Sequence, residues 1–111
     1  MKRYCQRIEL PDNPELIEKY MEVHKNVWPE VVEGQRAVGI LQMQIFGIGR
    51  TFFMICDTVD SFDWIVDMAR LAEMPIQKEW ESYVATFQGC NPNKPSTEKW
   101  QLMDKIFVSN D

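Results

Sequence analysis

The sequence predicts an α+β fold in which one antiparallel sheet carries helices on one face. Apolar residues recur with a period of two in some segments and with helical spacing in others, and the two kinds of segment are intermixed along the chain. The chain has 111 residues, of which 45% are apolar and 26% are charged. This length and composition are typical of one globular domain, so we predict a single domain over residues 1–111.

The N-terminal part of the chain predicts a strand followed by an interrupted helix. Residues 3–10 alternate in polarity, as expected of a strand with one buried face. Asn13 is suited to cap a helix, and Pro14 to its first turn, where a missing N–H costs nothing. The helical spacing continues past Pro29, whose ring clashes with the preceding turn, so we expect a kink or a restart near Trp28.

The middle of the chain predicts a β-hairpin. Residues 40–46 and 51–57 are strand-like and are separated by residues 47–50, which include two glycines, so the two strands should pair antiparallel. Both strands carry apolar side chains on both faces, whereas helices can cover only one face. Because a chain of this length has no further segment to cover the second face, we predict a homodimer packed sheet on sheet. In the first of these strands, alternation places Leu41, Met43 and Ile45 on one face and Ile40 and Phe46 on the other.

Two helices are predicted after the hairpin. Asp60 is expected to cap a helix that ends near Leu71. Pro75 is expected to begin a second helix, and Gly89 to end it. The apolar stripe of this second helix consists of Ile76, Trp80, Tyr83, Val84 and Phe87.

The C-terminal segment predicts a loop and a closing strand. Residues 90–99 are rich in Asn, Pro, Lys and Ser, which is typical of a solvent-exposed loop. Residues 100–108 have the composition of a last strand. The complete order of strand, helix, two strands, two helices and strand is that of a ferredoxin-like fold.

The charge pattern makes several classes of partner unfavourable. Twelve basic against 17 acidic side chains give a net charge of −5 without a basic stripe, so we expect no nucleic-acid partner. No apolar run approaches the roughly 20 residues that span a bilayer, and the N-terminus has no apolar signal segment. We therefore expect a cytoplasmic protein with no membrane contact.

The cysteine and histidine content limits the available chemistry. Cys5, Cys56 and Cys90 are widely spaced, without a C-x-x-C pair, so we expect reduced thiols and no zinc site. A single histidine, His24, excludes a site built from several imidazoles. Serine and cysteine nucleophile motifs and a dinucleotide-binding loop are also missing.

The most informative pair of residues is Tyr20 and His24. A separation of four places them on one helix face, where an imidazole can exchange a proton at neutral pH beside a phenol that can hydrogen-bond a hydroxyl-rich ligand. Spacing alone also fits the more common alternative of a core tyrosine and a solvated histidine. Trp28 and Trp80 have the same two interpretations, since an indole can pack in a core or cover the C–H face of a sugar ring.

Five motifs in matching order resemble one family. The motif Tyr20-x-x-x-His24-x-x-x-Trp28-Pro29-Glu30 is the most specific of them. The others are Lys2-Arg3-Tyr4, Gln77-x-x-Trp80, Glu98-Lys99-Trp100 and Lys105-Ile106-Phe107. On these motifs, which span essentially the whole chain, the sequence resembles the L-rhamnose mutarotase family, and in particular a branch with some members assigned to L-fucose.

The resemblance implies a dimeric α+β barrel that interconverts the α and β anomers of a 6-deoxy aldose, an isomerase without metal or cofactor. His24 matches the family's proton donor, and Tyr20 and Trp80 match substrate-contacting positions. Met43 stands where the rhamnose branch has a tyrosine, and Glu79 where it has the first tryptophan of a pair. We therefore place Met43 and Glu79 among the expected substrate-binding positions, consider Glu79 as a second proton-transfer group, and leave the identity of the sugar open, with Gln6 and Gln42 as further polar candidates.

A second class of function fits the same architecture. A dimeric ferredoxin-like module can also bind a small ligand without catalysis or degrade haem, and a fold alone does not distinguish these activities. In the haem case, His24 would be the only available imidazole ligand.

Overall fold

The computed structural model describes residues 1–89 and 96–109, except for the side chains of Ser96 and Glu98. The strands are β1 (Lys2–Glu9), β2 (Ile40–Ile48), β3 (Thr51–Thr58) and β4 (Gln101–Leu102). The helices are α1 (Pro14–Val23), α2 (Pro29–Ala37), α3 (Trp64–Glu73), α4 (Pro75–Gln88) and α5 (Ser96–Lys99). Cys90 and most of the predicted loop over residues 90–99 lie outside the described residues, and the end of that loop is the short helix α5.

The first helix is capped and interrupted as predicted. The Asn13 side chain accepts hydrogen bonds from the amides of Glu15 and Leu16, at 3.1 and 3.3 Å. A 3-10 turn over His24–Asn26 follows α1, and the chain restarts as α2. Trp28 has extended backbone (ψ 130°), which the following proline requires of its predecessor.

The sheet has the strand order β2-β3-β1-β4 with antiparallel neighbours throughout, which confirms the ferredoxin-like prediction. The hairpin turn is shorter than the predicted loop over residues 47–50, because Ile48 pairs with Thr51. Only Gly49 and Arg50 remain unpaired in the turn, and Gly49 has a φ of +59°, which favours glycine.

The prediction that Asp60 caps the third helix was wrong. Asp63 is the N-cap of α3: its carboxylate accepts a hydrogen bond from the amide of Val66 at 2.9 Å, and Asp67 accepts one from the amide of Asp63 at 2.8 Å. Asp60 is paired instead with the N-terminal amine of the chain. The segment between the two aspartates contains Phe62, which is buried, and the helix begins only after Asp63.

The predicted last strand over residues 100–108 is also mostly wrong. Strand β4 consists of two residues paired with Gln6 and Arg7, and one further bond joins the Met103 amide to the Cys5 carbonyl at 2.8 Å. Beyond this point the side chains of Ile106 and Phe107 are exposed. The composition of these residues favours an extended chain, but a strand also needs a partner edge, and the described pairing to β1 ends at Met103.

The helices cover one face of the sheet. A β-bulge between Ile40 and Gln42 changes the alternation, so Ile40 is buried among the helices on the same face as Met43 and Ile45, contrary to the predicted split. None of the helices in the described part of the chain is long and apolar enough to cross a membrane. The core under the helices includes Ile8, Leu10, Tyr20, Phe52, Met54, Cys56, Phe62 and Trp100.

The opposite face of the sheet, here called the open face, carries apolar residues that none of the helices in the described residues covers. Residues directly paired across antiparallel strands share a face, and the pairing of Phe46 with Phe53 and of Ile55 with Cys5 places these four together. Phe46 is 54% exposed.

Candidate active site

A cavity of about 270 Å³ lies between the helices and the sheet. Its size is near the lower end of ligand pockets, which range from about 300 to 1,000 Å³. The polar or ionisable side chains in its wall are Tyr20, His24, Gln35, Gln77, Glu81 and Gln88. The apolar part of the wall includes Val27, Val32, Met43, Ile45, Met54, Met68, Leu71, Trp80, Val84 and Trp100.

His24 enters the wall where α1 gives way to the 3-10 turn. Its Nδ1 atom lies 2.7 Å from the carbonyl oxygen of Tyr20. Because a carbonyl can only accept, Nδ1 donates this hydrogen bond, and the lone pair of the neutral ring is therefore on Nε2. Burial lowers the pKa of His24, although the hydrogen bond to Tyr20 and the negative charge of Glu81 act in the opposite direction. The site thus holds a neutral imidazole that is able to accept a proton.

Aromatic rings fix the position of Trp80 beside this histidine. The ring centroids of Trp80 and His24 are 5.7 Å apart with their planes at 79°. Trp28 packs edge-on against Trp80 at 5.0 Å and stacks on Tyr83 at 5.7 Å. Trp80 is therefore both a core residue and part of the cavity wall, so core packing and contact with a ligand are compatible for this residue. Trp28 is not in the wall but supports it.

The structure brings together some of the predicted site residues and separates others. Tyr20, His24, Met43 and Trp80 line the cavity. Glu79 does not line it, and its side chain is exposed. Successive residues of a helix point about 100° apart, so the neighbour of an inward-facing Trp80 can face solvent. Neither of the further polar candidates lines this cavity: Gln6 is buried elsewhere and Gln42 is exposed.

The wall also contains an ionic group that the sequence did not predict. Glu81 lines the cavity, and its Oε2 atom lies 2.7 Å from Nζ of Lys99, whose side chain is 0% exposed. Lys99 also donates to Gln88 Oε1 at 3.1 Å. Gln77, Glu81 and Gln88 lie at helical spacing on the same face as Trp80, and this spacing could have indicated that Glu81 faces inward. The apolar stripe did not indicate it, because such a stripe is defined by apolar residues only.

A second hydrogen bond supports this polar side of the wall. The side-chain amide of Gln77 donates to the carbonyl oxygen of Val31 at 2.8 Å, which ties α4 to α2. At Gly34 of α2 an added Cβ would lie 2.6 Å from Gln77 Nε2, so the two helices approach closely here.

The arrangement suits proton transfer to a small hydroxylated ligand. One imidazole can exchange a proton, one carboxylate carries a fixed charge, and an indole offers a flat apolar surface. In the described part of the chain, His, Cys, Asp and Glu side chains do not cluster in groups of three that could hold a metal ion.

The sequence is similar to a family model and to individual proteins that are described as sugar mutarotases. The sequence model described as L-rhamnose mutarotase matches residues 3–109. The chain is 33% identical to an L-fucose mutarotase of Xanthomonas campestris pv. campestris, over 97% of this chain and 88% of that protein. It is 32% identical to an L-rhamnose mutarotase of Listeria monocytogenes, over 68% of this chain and 71% of that protein. A UPF0734 protein of Dictyostelium discoideum is 36% identical over 96% of this chain and 88% of its own length.

A solved structure has the same fold. The crystal structure of an L-rhamnose mutarotase from Formosa agariphila superposes with a TM-score of 0.75 and covers 99% of this chain and 100% of its own. Because the two sequences are only 19% identical, this similarity supports the fold and not the activity.

Proposed function

Because the chain belongs to the L-rhamnose mutarotase family, we propose that it interconverts the α and β anomers of a 6-deoxy aldose and is therefore an isomerase. The observation that carries this proposal is the position of His24. By the motif resemblance this residue corresponds to the family's proton donor. It lines a cavity of small-ligand size and has Trp80 and Tyr20 beside it.

L-fucose and L-rhamnose are the two proposed substrates, and we place L-fucose first. The L-fucose mutarotase relative aligns with 97% of the chain, whereas the L-rhamnose mutarotase relative aligns with 68%. Met43 lies in the cavity wall, and by the motif resemblance it stands where the rhamnose branch has a tyrosine. Since the two sugars differ in the orientation of hydroxyl groups, a wall that leaves a buried polar group unpaired with one of them discriminates against it.

The proposed mechanism moves one proton between two oxygens bonded to the same carbon. Nε2 of His24 accepts the proton of the anomeric hydroxyl, the C1–O bond of the ring breaks with its electron pair going to the ring oxygen, and C1 becomes an aldehyde. The imidazolium then gives its proton to the ring oxygen. After rotation about the C1–C2 bond, the same steps in reverse close the ring on the other face of the aldehyde.

The remaining wall residues orient the sugar in this proposal. The Trp80 indole covers an apolar C–H face, and the Tyr20 side chain contacts hydroxyl groups. Positioned acid–base catalysis contributes roughly 10²–10⁴ in rate. This contribution suits a reaction that already proceeds slowly in water.

The test is an NMR measurement of anomer exchange with L-fucose, L-rhamnose and other aldoses. The wild type should accelerate exchange of at least one 6-deoxy sugar, and His24→Gln should remove most of this acceleration, about 10²-fold or more. Lys25→Gln is the matched control on the same turn, because Lys25 is exposed. An unchanged rate in His24→Gln would refute the assignment, and sugar binding in calorimetry without faster exchange would favour a binding protein.

We also propose that the chain is a homodimer that packs through the open face. Phe46, Phe53 and Ile55 form an uncovered apolar group there, flanked by Arg7 and Gln44 through the strand pairing. Exposed apolar groups of this kind are common at interfaces between subunits. Light scattering at micromolar concentration should give twice the mass of the chain, and Phe46→Asp should give the monomer mass. A monomeric wild type would refute the proposal.

A further inference from the structure

We propose that Glu81, held in place by Lys99, stabilises the positive charge that develops on His24 when this histidine accepts the proton of the sugar. The inference rests on the proposed function and extends it, because it adds a second charged residue to a reaction that otherwise needs only one imidazole. Glu81 acts through His24 and exchanges no proton itself, so it is a positioning residue and not a catalytic one.

Lys99 is fixed on Glu81 by several contacts. Its ammonium nitrogen lies 2.7 Å from Glu81 Oε2. It also donates hydrogen bonds to the Glu81 carbonyl oxygen at 3.3 Å and to Gln88 Oε1 at 3.1 Å. Because an ammonium group has three N–H donors, these contacts hold the cation in a defined place beside the carboxylate.

The burial of this pair calls for a functional explanation. The Lys99 side chain is 0% exposed and that of Glu81 is 22% exposed, and removing charges from water costs about as much as their mutual attraction returns. A buried ion pair therefore adds little stability by comparison with apolar residues of similar size. Its value to this chain lies in the position of Glu81, which lines the same cavity as His24.

The charges around His24 come from three elements. On its own segment, Glu22 and Lys25 form an exposed ion pair at 3.2 Å and largely cancel. Among the described residues that line the cavity, Glu81 of α4 is the one charged side chain besides the titratable His24. Lys99, at the end of α5, is not among the residues of the wall and is paired with Glu81. Of these charged groups, the Glu81 carboxylate acts on the imidazole and favours its charged form.

This arrangement resolves a difficulty in the proposed mechanism. Burial disfavours the charged form of His24, yet the first step creates an imidazolium in the cavity. A carboxylate in the same wall lowers the free energy of that imidazolium through its negative charge. The contact with Lys99 holds this carboxylate in place. The Tyr20 carbonyl contributes in the same direction by accepting from Nδ1.

The test uses the fact that the chain has one histidine, so its ring protons give one assignable set of NMR signals. In Glu81→Gln, the pKa of His24 should fall by roughly half to one unit, as expected for loss of a nearby opposite charge that is partly countered by a cation. In anomer exchange, the maximal rate should fall about 3- to 10-fold, and the acidic limb of the pH profile should move to lower pH by the same amount.

Three further variants make the result specific. Glu73→Gln removes an exposed carboxylate on α3 and should change neither the pKa of His24 nor the rate. Glu81→Asp retains the charge, so the pKa of His24 in this variant should stay close to its value in the wild type. If Glu81→Gln fails to fold, the double variant Glu81→Gln with Lys99→Met is used instead, because it leaves no unpaired buried charge. In this variant, the pKa of His24 and the maximal rate should both fall, but by less than in Glu81→Gln.

The possible outcomes separate this inference from the proposed function. An active wild type combined with an unmoved His24 pKa and acidic limb in Glu81→Gln overturns the inference and leaves the mutarotase proposal intact. A wild type that accelerates exchange of none of the aldoses overturns the proposed function, and the reaction assigned to Glu81 with it. An active wild type with the expected shift, absent from Glu73→Gln, supports both.

Discussion

Replacing Lys99 with methionine should strongly destabilise the fold. Methionine has a similar length but no charge, so the substitution leaves Glu81 Oε2 in the wall without its counter-charge at 2.7 Å and removes the donor to Gln88. Breaking a buried ion pair at one partner costs about 3–5 kcal/mol. Because the Glu81 side chain is 22% exposed and water can partly solvate it, we expect a loss near the lower end, about 3 kcal/mol.

Urea unfolding measures this loss directly. With a dependence on urea of about 2 kcal/mol per molar for a domain of this size, the unfolding midpoint should fall by roughly 1.5 M. Lys78→Met is the control, because Lys78 is exposed on α4 and its replacement should change the free energy of unfolding by no more than about 0.5 kcal/mol. Adding Glu81→Gln to Lys99→Met should recover most of the loss. A loss below about 1 kcal/mol, or no recovery in the double variant, would refute the description of the pair as buried and coupled.

Three further predictions follow from individual contacts. The pKa of His24 is lower in the folded chain than the value of about 6.5 expected when unfolded. As pH falls below about 7, the unfolded state therefore takes up the proton first, and the native state loses stability until the folded pKa is reached. The urea midpoint should fall with pH over this range in the wild type and fall less in His24→Gln, and an equal pH dependence in both proteins would contradict the prediction. Gly34→Ala places a Cβ 2.6 Å from Gln77 Nε2 and 3.0 Å from Met74 Sδ; despite the better helix propensity of alanine, we expect a net loss of about 1–2 kcal/mol in the unfolding free energy, and a stabilised variant would contradict the close approach. Burial raises the pKa of the Cys56 thiol to about 12. Iodoacetamide at pH 8 should therefore leave Cys56 unmodified in the native protein and modify it in urea, which peptide mass spectrometry can measure. Rapid modification of the native protein would contradict this prediction and show that the thiol is accessible.

Most of the fold could be predicted because its signals are local. Asn13 and Pro14 begin a helix through their own backbone chemistry, and Pro29 interrupts one in the same way. The C-terminal strand could not be predicted, because the polarity of residues 103–108 does not indicate whether a partner edge is available. The bulge at Leu41 was missed for a similar reason, since an extra residue in one strand is defined only by its pairing with the other.

The candidate site was only partly predictable, for reasons of helix phase and long-range contact. The apolar stripe of α4 indicated that Trp80 faces inward, but it did not determine whether Glu79 or Glu81 lies on the inward face. The structure selects Glu81, which shares its face with Gln77 and Gln88. Lys99 belongs to the Glu98-Lys99-Trp100 motif, but its pairing with Glu81, 18 residues earlier, is a long-range contact that no local pattern indicates.

The cavity wall also determines when activity returns during refolding. Tyr20 and His24 belong to the first quarter of the chain, whereas Trp80 and Glu81 belong to the last third, and the contact of α1 with α4 helps to bring them together. Closing a segment of that length costs chain entropy before any contact compensates for it. The hairpin of β2 and β3 can form locally and early, but a chain with only the hairpin has no binding site. If the proposed function holds, recovery of catalysis requires α1 to dock on α4, and we expect it to lag behind the recovery of strand structure.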